Sequence, residues 1–222
     1  MFLPSLLEYS TQDLQHKITL LKNNTPKYYQ LSKNPDKHTL HLHLDFVLPG
    51  FAKDRRIMTS LSPVQVIEIL ELSYSKDMLN LTIHLMGDVE DLLEAFKFFS
   101  QYKLNPLWEY TIFVPERYLD SWAASDRSNH NTNFNTGIWY DYGEWDTKTF
   151  EQSRHFLLMS VVAGKSGQKL ADEVANKAKA VTSEHPDKQF IFDGGWSIEK
   201  DNNLSNVQIV SYSSFWNKFL EK

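Results

Sequence analysis

Leu40-His41-Leu42-His43-Leu44-Asp45-Phe46 alternates strictly between apolar and polar side chains. The two-residue period of an extended chain sends the two sets to opposite faces. Leu40, Leu42, Leu44 and Phe46 share a face that needs a cover of helices, while His41, His43 and Asp45 share a face that looks toward a site. Leu79 to Met86 repeats the pattern, with Leu79, Leu81, Ile83 and Leu85 set against Asn80, Thr82, His84 and Met86. Gln189 to Asp193 reads as a further strand and ends on Asp193. Three strands therefore carry metal-ligating side chains at or near their C-terminal ends: His43 with Asp45, then His84, then Asp193.

Helical spacing fills the intervals between them. Leu14, Ile18 and Leu21 recur at i, i+4 and i+7 behind Ser10 and Asp13, which predicts a helix from about residue 11 to 22 after a short first strand near Phe2 to Leu7. Ser62-Pro63 supplies cap and first-turn chemistry, with Gln65 three residues after the cap, and opens a helix through Ile67 and Leu70. Gly87-Asp88 starts another, striped by Leu92, Ala95, Phe96 and Phe99. Beyond it the sequence predicts a strand at Trp108 to Val114, a short helix at Glu116 to Ala124 and a polar surface loop from Ser125 to Asn135. Strand, helix and strand follow at Gly137 to Tyr142, Thr147 to Ser153 and Phe156 to Val162. A long helix bearing Leu170, Val174, Ala178 and Val181 leads to the Gln189 strand. A short helix from Ile198, a strand at Val207 to Ser211 and a closing helix at Phe215 to Leu220 complete the chain.

Eight strand-then-helix units in a chain of 222 residues predict an α/β protein made of one domain over residues 1–222, a (β/α)8 TIM barrel. A doubly wound open sheet has the same alternation. The barrel is favoured because ligand-type residues end strands two, three and seven, which a ring brings to one mouth and an open sheet holds apart. Apolar residues at 41% and charged residues at 23% fall in the range of packed globular domains. A net charge of −5, with no basic run interleaved with aromatics, argues against a nucleic-acid partner. No window reaches the length of a membrane span, and the first residues lack the positive segment of a secretory leader. Without cysteine there is no disulfide, no thiolate nucleophile and no Cys-ligated zinc, and the cytoplasm is the expected compartment.

On one strand, His43 and Asp45 lie on the same face, roughly 7 Å apart along it. With His84 and Asp193 they make a set of two imidazoles and two carboxylates, which suits Zn2+, Fe2+, Mn2+ or Co2+ better than Ca2+ or Mg2+. Each piece alone is weak, since a His-x-Asp on a strand is more often a structural pair; the shared position at strand ends gives the set its meaning. Asp45 and Asp193 on opposite sides of a ring could face the two sides of a flat substrate, one removing a proton and the other returning it. His41 lies one layer deeper and reads as a hydrogen-bonded interior residue; His16, His38, His130, His155 and His185 read as surface groups. Four of the eight glycines, Gly164, Gly167, Gly194 and Gly195, follow the sixth and seventh strands. Such loops either make ordinary tight turns or bring backbone N–H groups close to an anion.

These residues resemble the ribulose-phosphate 3-epimerase family. Pro4-Ser5-Leu6-Leu7 is similar to the family's opening strand, His43-Leu44-Asp45 to its His-Val-Asp, and His84-Leu85-Met86 to its His-Leu-Met. Met159-Ser160-Val161 through Gly164, Gly167 and Gln168 is similar to its Met-Thr/Ser-Val-Asn-Pro-Gly-Phe-Gly-Gly-Gln loop, and Asp193-Gly194-Gly195 to its Asp-Gly-Gly. The resemblance implies a TIM-barrel isomerase of carbohydrate metabolism that inverts C3 of a ketose phosphate of the pentose phosphate kind. It implies a divalent metal ion on His43, Asp45, His84 and Asp193, with Asp45 and Asp193 as the catalytic acid/base pair. Ser5, Met86 and Met159 would line the pocket, and Gly167, Gly194, Gly195 and Ser213 would hold the sugar phosphate. It also carries with it association into a homo-oligomer. The departures are specific. Phe46-Val47-Leu48-Pro49 stands where the family has Val-Met-Asp-Gly, Val162-Ala163-Gly164-Lys165-Ser166-Gly167 where it has Asn-Pro-Gly-Phe-Gly-Gly, and Ser211-Tyr212-Ser213 where it has Ala-Gly-Ser. Lys165 offers a cation to the anion in partial compensation. The changed phosphate loops leave open a paralogue that binds a sugar phosphate without turning it over, and hydrolysis or aldol cleavage at the same cation is a third reading.

Overall fold

The computed structural model describes residues 1–120, 134–163, 167–197, 207–210 and 212–221. The two alternating segments lie inside β3 (Thr39–Val47) and β4 (Met78–Met86). The other strands are β1 (Phe2–Leu3), β2 (Ser5–Leu6), β5 (Trp108–Pro115), β6 (Phe134–Tyr140), β7 (His155–Met159), β8 (Gln189–Asp193) and β9 (Val207–Val210). All nine pair in parallel, in the order β1-β9-β8-β7-β6-β5-β4-β3-β2. The two ends of that order are neighbours in the chain, separated only by Pro4. The sheet is therefore a nearly closed barrel of the (β/α)8 type, with helices alternating along it.

Proline explains the break, because it has no N–H to give to a ladder. The Pro4 carbonyl still accepts from the His43 N–H at 3.0 Å. Phe2–Leu3 turns to β9 and Ser5–Leu6 turns to β3, so the single first strand expected from Phe2 to Leu7 is two short pieces with different partners.

The helices are α1 (Thr11–Asn23), α2 (Thr25–Ser32), α3 (Pro49–Arg55), α4 (Pro63–Tyr74), α5 (Val89–Gln101), α6 (Asp172–Glu184) and α7 (Tyr212–Leu220), together with 3-10 turns at Glu116–Tyr118 and Thr147–Thr149. Helix α4 starts as its sequence dictates. Ser62 Oγ accepts the Gln65 N–H at 3.4 Å, and Gln65 Oε1 accepts the Ser62 N–H at 3.1 Å. Asp88 caps α5 in the same reciprocal way with Asp91.

Several expected boundaries move. Helices α2 and α3 were not anticipated: α2 buries only Tyr28 and Ser32, too sparse a stripe for periodicity, and α3 is a seven-residue helix that includes Pro49 and Gly50. The helix expected at Thr147 to Ser153 is one 3-10 turn, capped by Asp146. Strand β6 begins at Phe134, inside the expected loop, because Phe134 and Asn135 pair with Tyr110 and Thr111. Strand β7 ends at Met159 rather than Val162, and Leu170 precedes α6. The rest of the Ser125 loop with His130, the last four residues of the expected 116–124 helix, the helix from Ile198 and Ser211 lie outside the described residues.

The apolar face of β3 does what its alternation requires. Leu40, Leu42, Leu44 and Phe46 are buried in one cluster with Leu14, Ile18 and Leu21 of α1 and Ile67 and Leu70 of α4. Fully burying a leucine or isoleucine contributes about 1.5–3 kcal/mol, so this layer between sheet and helices is the main source of cohesion. A second cluster on β6 to β9 packs under α6 through Val174, Ala178 and Val181. A third fills the barrel itself, including Leu3, Val47, Met86, Phe113, Trp139, Leu157, Met159 and Ile191. No helix among the described residues is long and apolar enough to cross a membrane.

Candidate functional site

The register of β3 against β4 sets Asp45 beside His84, and that of β2 against β3 sets Ser5 beside His43. Asp193 ends β8 on the far side of the seam and reaches across to the same point. His43, Asp45, His84 and Asp193 each place a ligand atom within 4.8 Å of the others, and all four are buried. His43 Nε2 lies 3.3 Å from Asp45 Oδ1, and His84 Nδ1 lies 3.1 Å from the same oxygen. Asp193 Oδ2 is 3.6 Å from His84 Nδ1 and 3.9 Å from His43 Nε2. Ser5 Oγ donates to the other Asp45 oxygen, Oδ2, at 2.5 Å.

Hydrogen-bond accounting tests whether a cation fits. Thr82 Oγ1 donates to the Leu42 carbonyl at 3.3 Å, which leaves its lone pairs for His43 Nδ1 at 2.8 Å. The His43 proton then sits on Nδ1, and Nε2 presents a lone pair to the carboxylates. Lone pairs of nitrogen and carboxylate oxygen facing one another in a buried space repel unless a positive charge sits among them. Either a proton or a metal ion meets that need, and the mixed N/O donor set suits a divalent transition metal.

The titration behaviour follows from the same crowding. Burial would raise Asp45, but the His43 and His84 imidazoles beside it overcome burial and hold its carboxyl well below the usual range. Burial and the neighbouring Asp45 push Asp193 upward. Burial would lower His84, yet hydrogen bonds to Asp193 and Asp45 raise it to about 9. In the metal-free protein His84 is the proton-bearing cation of the cluster. Its Nε2 is buried without a hydrogen-bond partner among the described residues, beside the Trp139 ring at 4.7 Å between centroids.

The two imidazoles are closed off from solvent, whereas Asp45 and Asp193 open onto a cavity of about 300 Å3 at the C-terminal ends of the strands. Every residue expected around a substrate lines that cavity: Ser5, Met86, Met159, Gly167, Gly194, Gly195 and Ser213. Gly194, at φ +92°, has no room for a side chain, since a Cβ there would stand 2.3 Å from Val161 Cγ2. Gly164 and Lys165 lie outside the described residues. The opening is off-centre. Helix α3 lays Phe51 and Ala52 into the barrel cluster, with the Phe51 ring 6.3 Å from that of Trp139, and this covers the mouth over β5 and β6.

Some lining residues were not anticipated. Lys169 and Gln168 follow Gly167, and Asn217 stands one helical turn after Ser213 and Ser214 on α7. Proximity to Gly167 and the i+4 spacing of α7 were the available signals. Tyr212 also borders the cavity. Its hydroxyl accepts from Lys17 Nζ at 2.5 Å, and Lys17 is further paired with the buried Glu8. Among the histidines expected at the surface, His16 and His38 are exposed, while His155 and His185 are half-buried. Comparison with models of known protein families and with curated proteins gave no match.

Proposed function

We propose that the protein is a metal-dependent epimerase on a single TIM barrel, which inverts C3 of ribulose 5-phosphate, xylulose 5-phosphate or a related pentulose or hexulose phosphate. The observation that carries this reading is the pair Asp45 and Asp193: two buried carboxylates that open on one cavity and whose neighbours drive their pKa values apart. Groups with opposed shifts are suited to opposite halves of a proton transfer. Asp45, held ionised, takes the proton from C3; Asp193, which retains a proton more readily, returns one to the other face. The reverse reaction exchanges their roles. His43, Asp45, His84 and Asp193 would hold the ion, and a divalent cation there offsets the negative charge that develops on the substrate oxygens as the proton leaves. Ser5 keeps Asp45 oriented through Oδ2. The Met86 and Met159 side chains exclude water beside the carboxylates.

A cavity of about 300 Å3 admits a phosphorylated five- or six-carbon sugar and is small for a dinucleotide. A cysteine-free chain of net charge −5 accords with a cytoplasmic enzyme of small metabolites, without nucleic-acid or membrane partners. One observation favours a second reading, a sugar-phosphate-binding paralogue without turnover: Tyr212 stands at the cavity rim where the family has glycine in its last phosphate turn.

Both readings are tested by NMR of metal-reconstituted protein in D2O with ribulose 5-phosphate or a hexulose 6-phosphate, following deuterium at C3. Incorporation with formation of the epimer is the expected result, and tight binding without exchange supports the paralogue. Asp45→Asn and Asp193→Asn should each slow exchange by about 10²–10⁴-fold with the fold intact. A fully active Asn variant at either position would overturn the two-carboxylate mechanism.

A further inference from the structure

The barrel has a second opening. At the N-terminal ends of the strands, opposite the carboxylate cavity, lies a space of about 710 Å3. Barrel interiors of this type are ordinarily packed with side chains. Here β3, β4, β5 and β9 present the polar His41, Thr82, Thr111 and Gln208 to the space, beside apolar side chains that include Phe113 and Ile191. His41, expected to be hydrogen-bonded, has a buried Nδ1 with no partner among the described residues. An unsatisfied buried polar atom costs roughly 1–3 kcal/mol, which a ligand at that nitrogen would relieve.

Positive charge gathers at the rim. Arg154, just before β7, lines the space and makes no ion pair among the described residues. Lys188, just before β8, also lines it; 18% of its side chain is exposed, and its one ion-pair partner among the described residues, Asp187, lies 3.4 Å away and is 72% exposed. Burial, and after it the Arg154 guanidinium, lower the pKa of His155. Lys33 also lines the space, as do Asp36 and Asp187, so three basic side chains face two carboxylates and the excess of one positive charge matches one small anion rather than a polyanion.

We propose that this N-terminal mouth is a second ligand site, separate from the carboxylate cavity, which takes a small oxyanion on Arg154, Lys188 and the His41 imidazole. Guanidinium and ammonium groups pair with phosphate and carboxylate oxygens through short charge-assisted hydrogen bonds. The class is one phosphate or carboxylate group on a small molecule. The proposal stands on this cavity alone and does not depend on what the carboxylate cavity binds.

The test is NMR of zinc-reconstituted, histidine-labelled protein titrated with inorganic phosphate and, separately, malonate. Saturable shifts of the His41 and His155 ring signals in the millimolar range are expected, and the tighter of the two probes identifies phosphate or carboxylate as the natural group. Arg154→Gln, a change at an exposed side chain, should weaken binding about tenfold without altering the thermal midpoint. The Arg154→Gln/Lys188→Gln double variant should abolish the saturable shifts. Shifts confined to His43 and His84, no saturable shift at all, or unchanged binding in Arg154→Gln would each overturn the proposal.

Discussion

Thr82 carries one hydroxyl proton and spends it on the Leu42 carbonyl, and that choice fixes which nitrogen of His43 faces the carboxylates. Thr82→Val removes the hydroxyl that accepts from Nδ1 and frees the ring to adopt the wrong tautomer. Metal affinity should fall about 10–100-fold, with Thr82→Ser restoring it; competition with a chelating dye measures both. The proton on His84 has its own consequence. With the folded pKa raised to about 9 from 6.5, His84⁺ stabilises the metal-free fold fully below 6.5, and that contribution is lost as pH rises toward 9. A metal must displace this proton, so apparent affinity should climb about tenfold per pH unit above 6.5 and flatten as pH approaches 9. Zinc calorimetry across that range, in buffers of different ionisation enthalpy, should show close to one proton released per ion. His43, Asp45 and His84 were legible in the sequence because a period of two is written into a strand. The part Thr82 plays was not, because it depends on the His43–Thr82 register, which pairing sets in three dimensions.

Among elements, the turn after β8 shows how little freedom the site leaves. Gly194 and Gly195 have φ of +92° and +79°, and side chains at either would meet Val161. Gly194→Ala should destabilise the fold by about 1–3 kcal/mol in denaturant unfolding and weaken ligand binding as Val161 is forced aside. The sequence marked this turn through its paired glycines, as it marked α4 through Ser62-Pro63 and α5 through Asp88. Helix α3 escaped notice because seven residues with a proline and a glycine carry no period. Yet α3 decides where the mouth opens. It is held by the Gly50 N–H donating to Asp91 Oδ2 at 2.8 Å and by the Arg55–Asp141 ion pair, both long-range contacts that local pattern cannot express.

At the scale of the molecule, strand and helix alternation was readable from one end of the chain to the other, and ligand-type residues at the ends of three strands pointed to a ring, but the way the ring closes was not readable. It depends on Pro4 dividing one strand between two neighbours. Each half is joined over two residue pairs, against nine between β3 and β4. Native-state hydrogen exchange should therefore reach the seam amides of residues 2–6 before those of β3 to β5. Protection of the seam equal to that of β3 would contradict this. The short pieces on either side of Pro4 work as the clasp of a bracelet, and Ser5, the pin of that clasp, is also the residue that steadies Asp45. Unfastening the ring and loosening the Asp45 carboxylate are thus one event, so whatever tightens the clasp, including a ligand reaching Ser5, tunes the buried carboxylate cluster as it closes the barrel.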